Sequence, residues 1–148
     1  MYTDIFRLAT CVIMLCMTVP VLAGNTMTTL APCPDSPNCV SSQAPEADRE
    51  HYIAPFSFSG EPADAWQRLK SAVLTEKRVT IVAEQDDYLH AEMRSLMFRF
   101  VDDVEFSLAA DTNLIHVRSA SRVGHSDFGV NRKRVERIRA AFDAQPAS

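Results

Sequence analysis

Residues Leu8 to Leu22 form an almost unbroken apolar run, preceded by Arg7 and closed by the small-residue pattern Val21, Leu22, Ala23. A short polar start, an apolar stretch of this length and small residues at its end have the layout of a secretory signal cut after Ala23. A membrane span needs roughly 20 apolar residues to cross ~30 Å of hydrocarbon. This run is shorter and carries Pro20 near its end, so retention as an anchor is the second alternative.

From Gly24 to Asp48 the chain is rich in Pro, Ser, Thr and Asn, with almost no periodic apolar positions. Such a stretch cannot bury enough surface to form a packed element and reads as a lead-in. Tyr52 to Ser59 is a short aromatic strand, and Gly60-Glu61-Pro62 supplies a helix start with proline in the first turn. Ala65, Trp66, Leu69, Ala72 and Val73 recur at helical spacing, which predicts an amphipathic helix over Ala63 to Lys77. Four strands follow, Val79 to Glu84, Tyr88 to Ser95, Phe98 to Leu108 and Leu114 to Val123, joined by links short enough to favour an antiparallel meander. A last helix runs from about Asp127 to Phe142, with Phe128, Val135, Ile138 and Phe142 on one side. Its basic residues Arg132, Lys133, Arg134, Arg137 and Arg139 fall mostly elsewhere.

The order is β-α-β-β-β-β-α, which predicts an α+β fold: a five-stranded antiparallel sheet with two helices packed on one face. The expected division is a signal peptide over 1–23, a lead-in over 24–48 and one α+β domain over 49–148. Removing 23 residues from 148 leaves 125, enough for a single core.

Alternation assigns faces. Leu89, Ala91 and Met93 face the helices, as do Phe98, Phe100, Val104, Phe106 and Leu108, and Ile115 and Val117 on the next strand. Whichever exact register holds, parity makes inward Val104 and Phe106 meet inward Val117 and Ser119. The outward face collects Tyr88, His90, Glu92, Arg94, Arg99, Asp103, Glu105, His116, Arg118 and Arg122, either a binding surface or the solvated side of a half-buried sheet. There Glu105 or Asp103 is set across from Arg118 or Arg122, each pair contributing ~0.2–1 kcal/mol.

Asp102 breaks the pattern, because parity puts it on the apolar face between Phe100 and Val104. A buried carboxylate must be paired or hydrogen-bonded, or its pKa shifts. Ser119 or Ser121 falls nearby, and Arg122 near the sheet end. Asp102 is therefore either a structural acid or a perturbed site residue. From Arg118 to Arg132 a strand end joins a helix start through Gly124 and Gly129, with Ser126 or Asp127 placed to cap the helix. Free N–H groups there, with Arg122 and Arg132, offer an anion site that the acidic cap competes for.

Composition sharpens this in two respects. The net charge is −4, but from Gly24 to Val117 there are 7 basic and 15 acidic residues, against 7 basic and 3 acidic from Arg118 onward. The body is acidic and the last helix basic. Of the 4 cysteines, Cys33 and Cys39 follow the signal, in a loop of prolines and Asx residues. In an oxidising compartment that spacing predicts a disulfide. Two thiolates make only half a tetrahedral metal site, and His90, His116 and Glu92 lack ligand spacing, so no metal or other cofactor is expected. There is no nucleophile elbow, phosphate loop or metalloprotease helix.

Four segments in order resemble the domain of unknown function family 1499. They are Cys33-Pro34-Asp35-Ser36-Pro37-Asn38-Cys39-Val40-Ser41-Ser42-Gln43, Tyr88-Leu89-His90-Ala91-Glu92, Phe98-Arg99-Phe100-Val101-Asp102-Asp103-Val104-Glu105-Phe106, and Arg118-Ser119-Ala120-Ser121-Arg122-Val123-Gly124 through Asn131-Arg132-Lys133-Arg134-Val135. His125 stands where an aromatic residue is common in that family. The resemblance implies an exported or membrane-attached bacterial domain and brings no activity with it.

The expectation is a periplasmic or secreted, non-enzymatic domain that binds a small ligand or envelope protein through the outward face or the Arg118 to Asp127 corner. Binding candidates are His90, Glu92, Asp102, Asp103, Glu105, Arg118, Ser121, Arg122 and Asp127. Export argues against nucleic acid, and membrane contact is expected only through an uncleaved signal segment. The alternative is a hydrolase-like enzyme using Asp102 or the pair His90 and His116.

Overall fold

The computed structural model describes residues 28–95 and 100–146. The expected signal over 1–23, and Leu96 to Arg99 with the face assignments of Phe98 and Arg99, lie outside the described residues. Eight elements follow one another: β1 (Cys39–Ser41), β2 (Phe56–Ser57), α1 (Pro62–Leu74), β3 (Val79–Glu84), β4 (Tyr88–Arg94), β5 (Val101–Ala109), β6 (Leu114–Ser121) and α2 (Val130–Asp143). The strands form one antiparallel sheet of order β1-β6-β5-β4-β3, with β2 also paired to β6. The class is α+β, with six strands where five were expected.

The additional strand comes from the lead-in. Cys39, Val40 and Ser41 pair with Ala120, Ser119 and Arg118, because a three-residue strand can be held by ladder bonds without periodic apolar residues of its own. Conversely, the aromatic run predicted over Tyr52 to Ser59 keeps only two strand residues, as prolines at Pro55 and Pro62 confine regular pairing.

The helical stripe of α1 is buried as predicted, with Ala65, Trp66, Leu69, Ala72 and Val73 turned inward. These side chains join Leu89, Ala91, Met93, Val104, Phe106, Leu108, Ile115 and Val117 from the sheet and Val135, Ile138 and Phe142 from α2 in a single core. Both helices therefore cover one face of the sheet. Val104 lies opposite Ser119 and Phe106 opposite Val117, in keeping with the parity that sets inward residues of the two strands against each other.

Three inward or outward assignments fail at one end of the molecule. Phe100 precedes β5 and is 49% exposed, and Phe128 precedes α2 and is 88% exposed. α2 starts three residues later than expected because Gly129 at its N-cap adopts φ 73°, a left-handed conformation open to glycine, which turns Phe128 off the helical stripe. Arg134, assigned to the outward side of α2, is buried at 5% exposure.

Cys33 and Cys39 form a disulfide with a Cα–Cα distance of 5.6 Å. Closing so short a loop removes about 2 kcal/mol of denatured-state entropy. Replacing both cysteines with serine is expected to lower stability by about 2–3 kcal/mol, since Cys39→Ser also places a hydroxyl where the Cys39 side chain is fully enclosed. Thermal melting of this double variant, and of wild type with and without reductant, checks this, and an unchanged Tm in both comparisons contradicts it.

Candidate functional site

The outward residues form a paired network across β4, β5 and β6. Arg122 clasps Asp103 through Nε (2.8 Å) and a terminal nitrogen (2.7 Å), and donates from that same nitrogen to Glu92 (2.6 Å). His90 Nε2 meets Asp103 Oδ1 at 2.7 Å. One row along, Glu105 accepts from Tyr88 Oη (2.7 Å) and Arg118 (3.0 Å). The Arg122 guanidinium holds Asp103 and Glu92 below the usual carboxylate range, while burial and the Glu105 carboxylate raise the Tyr88 phenol. Six of the nine candidate residues, His90, Glu92, Asp103, Glu105, Arg118 and Arg122, thus occupy one face, each satisfied by another. As a half-buried cross-strand pair, Glu105 with Arg118 contributes ~0.2–1 kcal/mol.

The remaining candidates belong to the opposite face. Asp102, opposite Ser121 in the ladder, pairs with Arg134 of α2, both side chains being 7% exposed. The other terminal nitrogen of Arg134 donates to Asn131 Oδ1 (2.6 Å) and Ser119 Oγ (3.2 Å). Asn131 in turn donates to Ser121 Oγ (3.0 Å) and to the backbone oxygen of Asn38 (2.9 Å), while Asn38 Nδ2 donates to the oxygen of Gly124 (2.6 Å). This chain of polar contacts ties the disulfide loop, the β6 end and α2 together. Asp127 accepts the N–H groups of Gly129 (2.9 Å) and Asn131 (2.7 Å) and so ties down the start of α2, although Gly129 rather than Ser126 or Asp127 is the N-cap residue.

Sequence reasoning missed Asn38, Asn131 and Arg134. All three lie inside the family-like segments, but apart from the Arg134–Asn131 bond within α2 the contacts that tie them together reach 10 to 93 positions along the chain, and periodicity carries no such information.

Two histidines carry opposite pH signatures. His51 Nδ1 meets Asp48 Oδ2 at 2.8 Å, and this hydrogen bond raises its pKa while lowering that of Asp48. Its contribution to stability is full below the unfolded value of about 6.5 and is lost as pH rises through the higher folded value. His116 Nδ1 and Ser42 Oγ share a hydrogen bond (3.1 Å), and the same Ser42 oxygen accepts from the Val117 N–H (2.9 Å). Burial lowers the His116 pKa, so the folded state loses stability as pH falls below about 6.5, where the unfolded chain takes up the proton first. In Tm measurements from pH 5 to 8, His51→Gln is expected to flatten the alkaline slope and His116→Gln the acid slope. Identical profiles for both variants would refute the assignment.

A third feature was not anticipated. The C-terminal end of α1, the end of β4 and the first turns of α2 enclose a cleft of about 630 Å³. Lys77, Arg78, Arg94, Arg134 and Arg137 line it, against the single acid Glu76. Arg137 forms a two-bond clasp with Glu76 (3.0 and 2.7 Å), Arg94 reaches Glu92 and Arg134 holds Asp102. Arg78 donates only to the backbone oxygen of Arg94 (2.8 Å). Among the described residues neither Lys77 nor Arg78 has an acidic partner. No three His, Cys, Asp or Glu side chains among those residues are grouped to hold a metal ion, and no described helix is long and apolar enough to cross a membrane.

Fold and sites together define a disulfide-stapled α+β domain, with a paired polar sheet face and a cationic cleft at one end. The chain belongs to the family described as protein of unknown function (DUF1499), whose model matches residues 29–142. No curated protein matches the chain.

Proposed function

We propose that this chain is an exported cell-envelope domain that acts by binding, and that its ligand carries an anionic group held in the cleft between α1, β4 and α2. One observation carries the proposal: five cationic side chains converge there against one acid, and Lys77 and Arg78 remain without acidic partners among the described residues. In a protein of net charge −4, such a local excess is opposite in sign to the whole and attracts anions selectively. Arginine adds geometric fit, since its planar fork matches carboxylate and phosphate oxygens.

Export is supported by the apolar run ending at Ala23 and by the Cys33–Cys39 disulfide, a bond that persists in oxidising compartments. A binding role is favoured over hydrolysis because the candidate catalytic groups are already engaged. Asp102 is enclosed against Arg134, His90 against Asp103 and His116 against Ser42, and the two histidines stand in different cross-strand rows.

Inorganic pyrophosphate, a small dense anion, is the test probe. Titration followed by amide NMR is expected to shift signals at 75–78, 93–95 and 130–137. Lys77→Glu combined with Arg78→Asn should weaken binding about tenfold or more. Shifts centred on Arg118 and Arg122 instead, or none, would overturn the cleft as the site.

A further inference from the structure

We infer that the anionic partner is a phospholipid membrane surface, met by the end of the domain where the cleft opens; this rests on the cleft being an anion site. The supporting observation is independent of charge. Six large hydrophobic side chains are notably exposed among the described residues: Leu74, Val82, Phe100, Val123, Phe128 and Val130. All but Val82 gather at this end. Leu74 closes α1 immediately before the cleft residues, and Val130 lines the cleft with Arg94. Phe100 is bonded through its backbone to Ser95, beside Arg94, and Val123 follows Arg122, whose N–H donates to Val101 (3.1 Å). Phe128 lies in the loop that enters α2, two residues before Val130.

Phe128 is the most telling of these. It is 88% exposed at φ 54°, and Arg78 in the cleft sits at φ 57°. Left-handed backbone is disfavoured for a non-glycine residue, because Cβ crowds the following carbonyl oxygen. Asn113, the third such residue, is a type that tolerates this conformation in turns, whereas Phe and Arg are not. The fold thus holds an aromatic ring in water and a guanidinium over the cleft at local cost, at the same end. Apolar side chains beside unpaired cations suit the boundary between acyl chains and anionic headgroups: rings and aliphatic groups enter the apolar layer, and Lys77 and Arg78 meet phosphates. A soluble anion would use the cations and leave the exposed apolar groups unused.

The experiment is co-sedimentation of residues 24–148, which contain every described element, with vesicles of phosphatidylcholine alone or mixed with phosphatidylglycerol. Binding is expected only with phosphatidylglycerol, and it should weaken with salt. Phe128→Ser should reduce partitioning about tenfold with Tm unchanged, because the ring is already exposed in the folded protein. The combined Lys77→Glu and Arg78→Asn variant should lose about tenfold or more. Equal binding to both vesicle types, no binding to either, an unaffected Phe128→Ser variant, or self-association through Phe128 without vesicles would each overturn the inference. Pyrophosphate shifts at the cleft without vesicle binding would overturn the membrane alone and leave the anion site standing; loss of both would remove both proposals.

Discussion

Replacing Arg134 with methionine is expected to lower the unfolding free energy by about 3–5 kcal/mol, because it leaves the Asp102 carboxylate enclosed without its countercharge. Small domains have ~5–15 kcal/mol in total, so this variant should sit close to unfolding. Asn131 Oδ1 and Ser119 Oγ also lose a donor, and the polar chain from Asn38 to α2 loses its inner anchor. The pair itself is a different matter. Hydrophobic side chains of similar volume frequently replace a buried ion pair at little cost, so Asp102→Leu added to Arg134→Met should recover a substantial part of the loss. Urea unfolding of the two single variants and the double variant forms the required cycle. A single Arg134→Met variant within about 1 kcal/mol of wild type would show that Asp102 is relieved by another group.

Phe56→Ala carries an expected loss of similar size, about 3–5 kcal/mol. Phe56 belongs to a strand of only two residues, yet it is 1% exposed and stands edge-on to Phe106 (5.8 Å) and Phe142 (5.7 Å). The Arg139 guanidinium lies 4.3 Å from its ring centroid, and Arg139 also donates to the oxygens of Ala54 and Pro55. The ring therefore joins the outer edge of β6, the middle of β5 and the last turns of α2, and truncation leaves a cavity that three rigid elements cannot collapse to fill. Denaturant unfolding monitored by circular dichroism measures the loss. A decrease below about 1 kcal/mol would mean that the neighbouring rings repack into the space.

Both effects concern contacts the linear chain does not display. The strand positions, by contrast, were legible from alternation: Val79 to Glu84 agrees at both ends, and parity put Glu105 or Asp103 across from Arg118 or Arg122, between which the register of β5 and β6 chose Glu105 opposite Arg118. The outward network was legible for the same reason, since cross-strand neighbours on one face are fixed once register is fixed. The cationic cleft was not. Its cations come from the segment after α1, the end of β4 and one side of α2, which meet only when both helices dock on the sheet.

The sequence by itself determined the α+β class, the meander and its faces, the buried stripe of α1 and the pairing of Cys33 with Cys39. These depend on local periods and short chain separations, which residue order encodes directly. Tertiary structure alone decided that the lead-in supplies β1, that Arg134 turns inward to Asp102, and that Phe100 and Phe128 remain outside the core. For β1 and Arg134 a local preference was set against a distant partner, whereas Phe128 follows the left-handed turn at Gly129. Ladder hydrogen bonds from β6 and a buried carboxylate on β5 outweigh what the neighbouring residues alone would dictate.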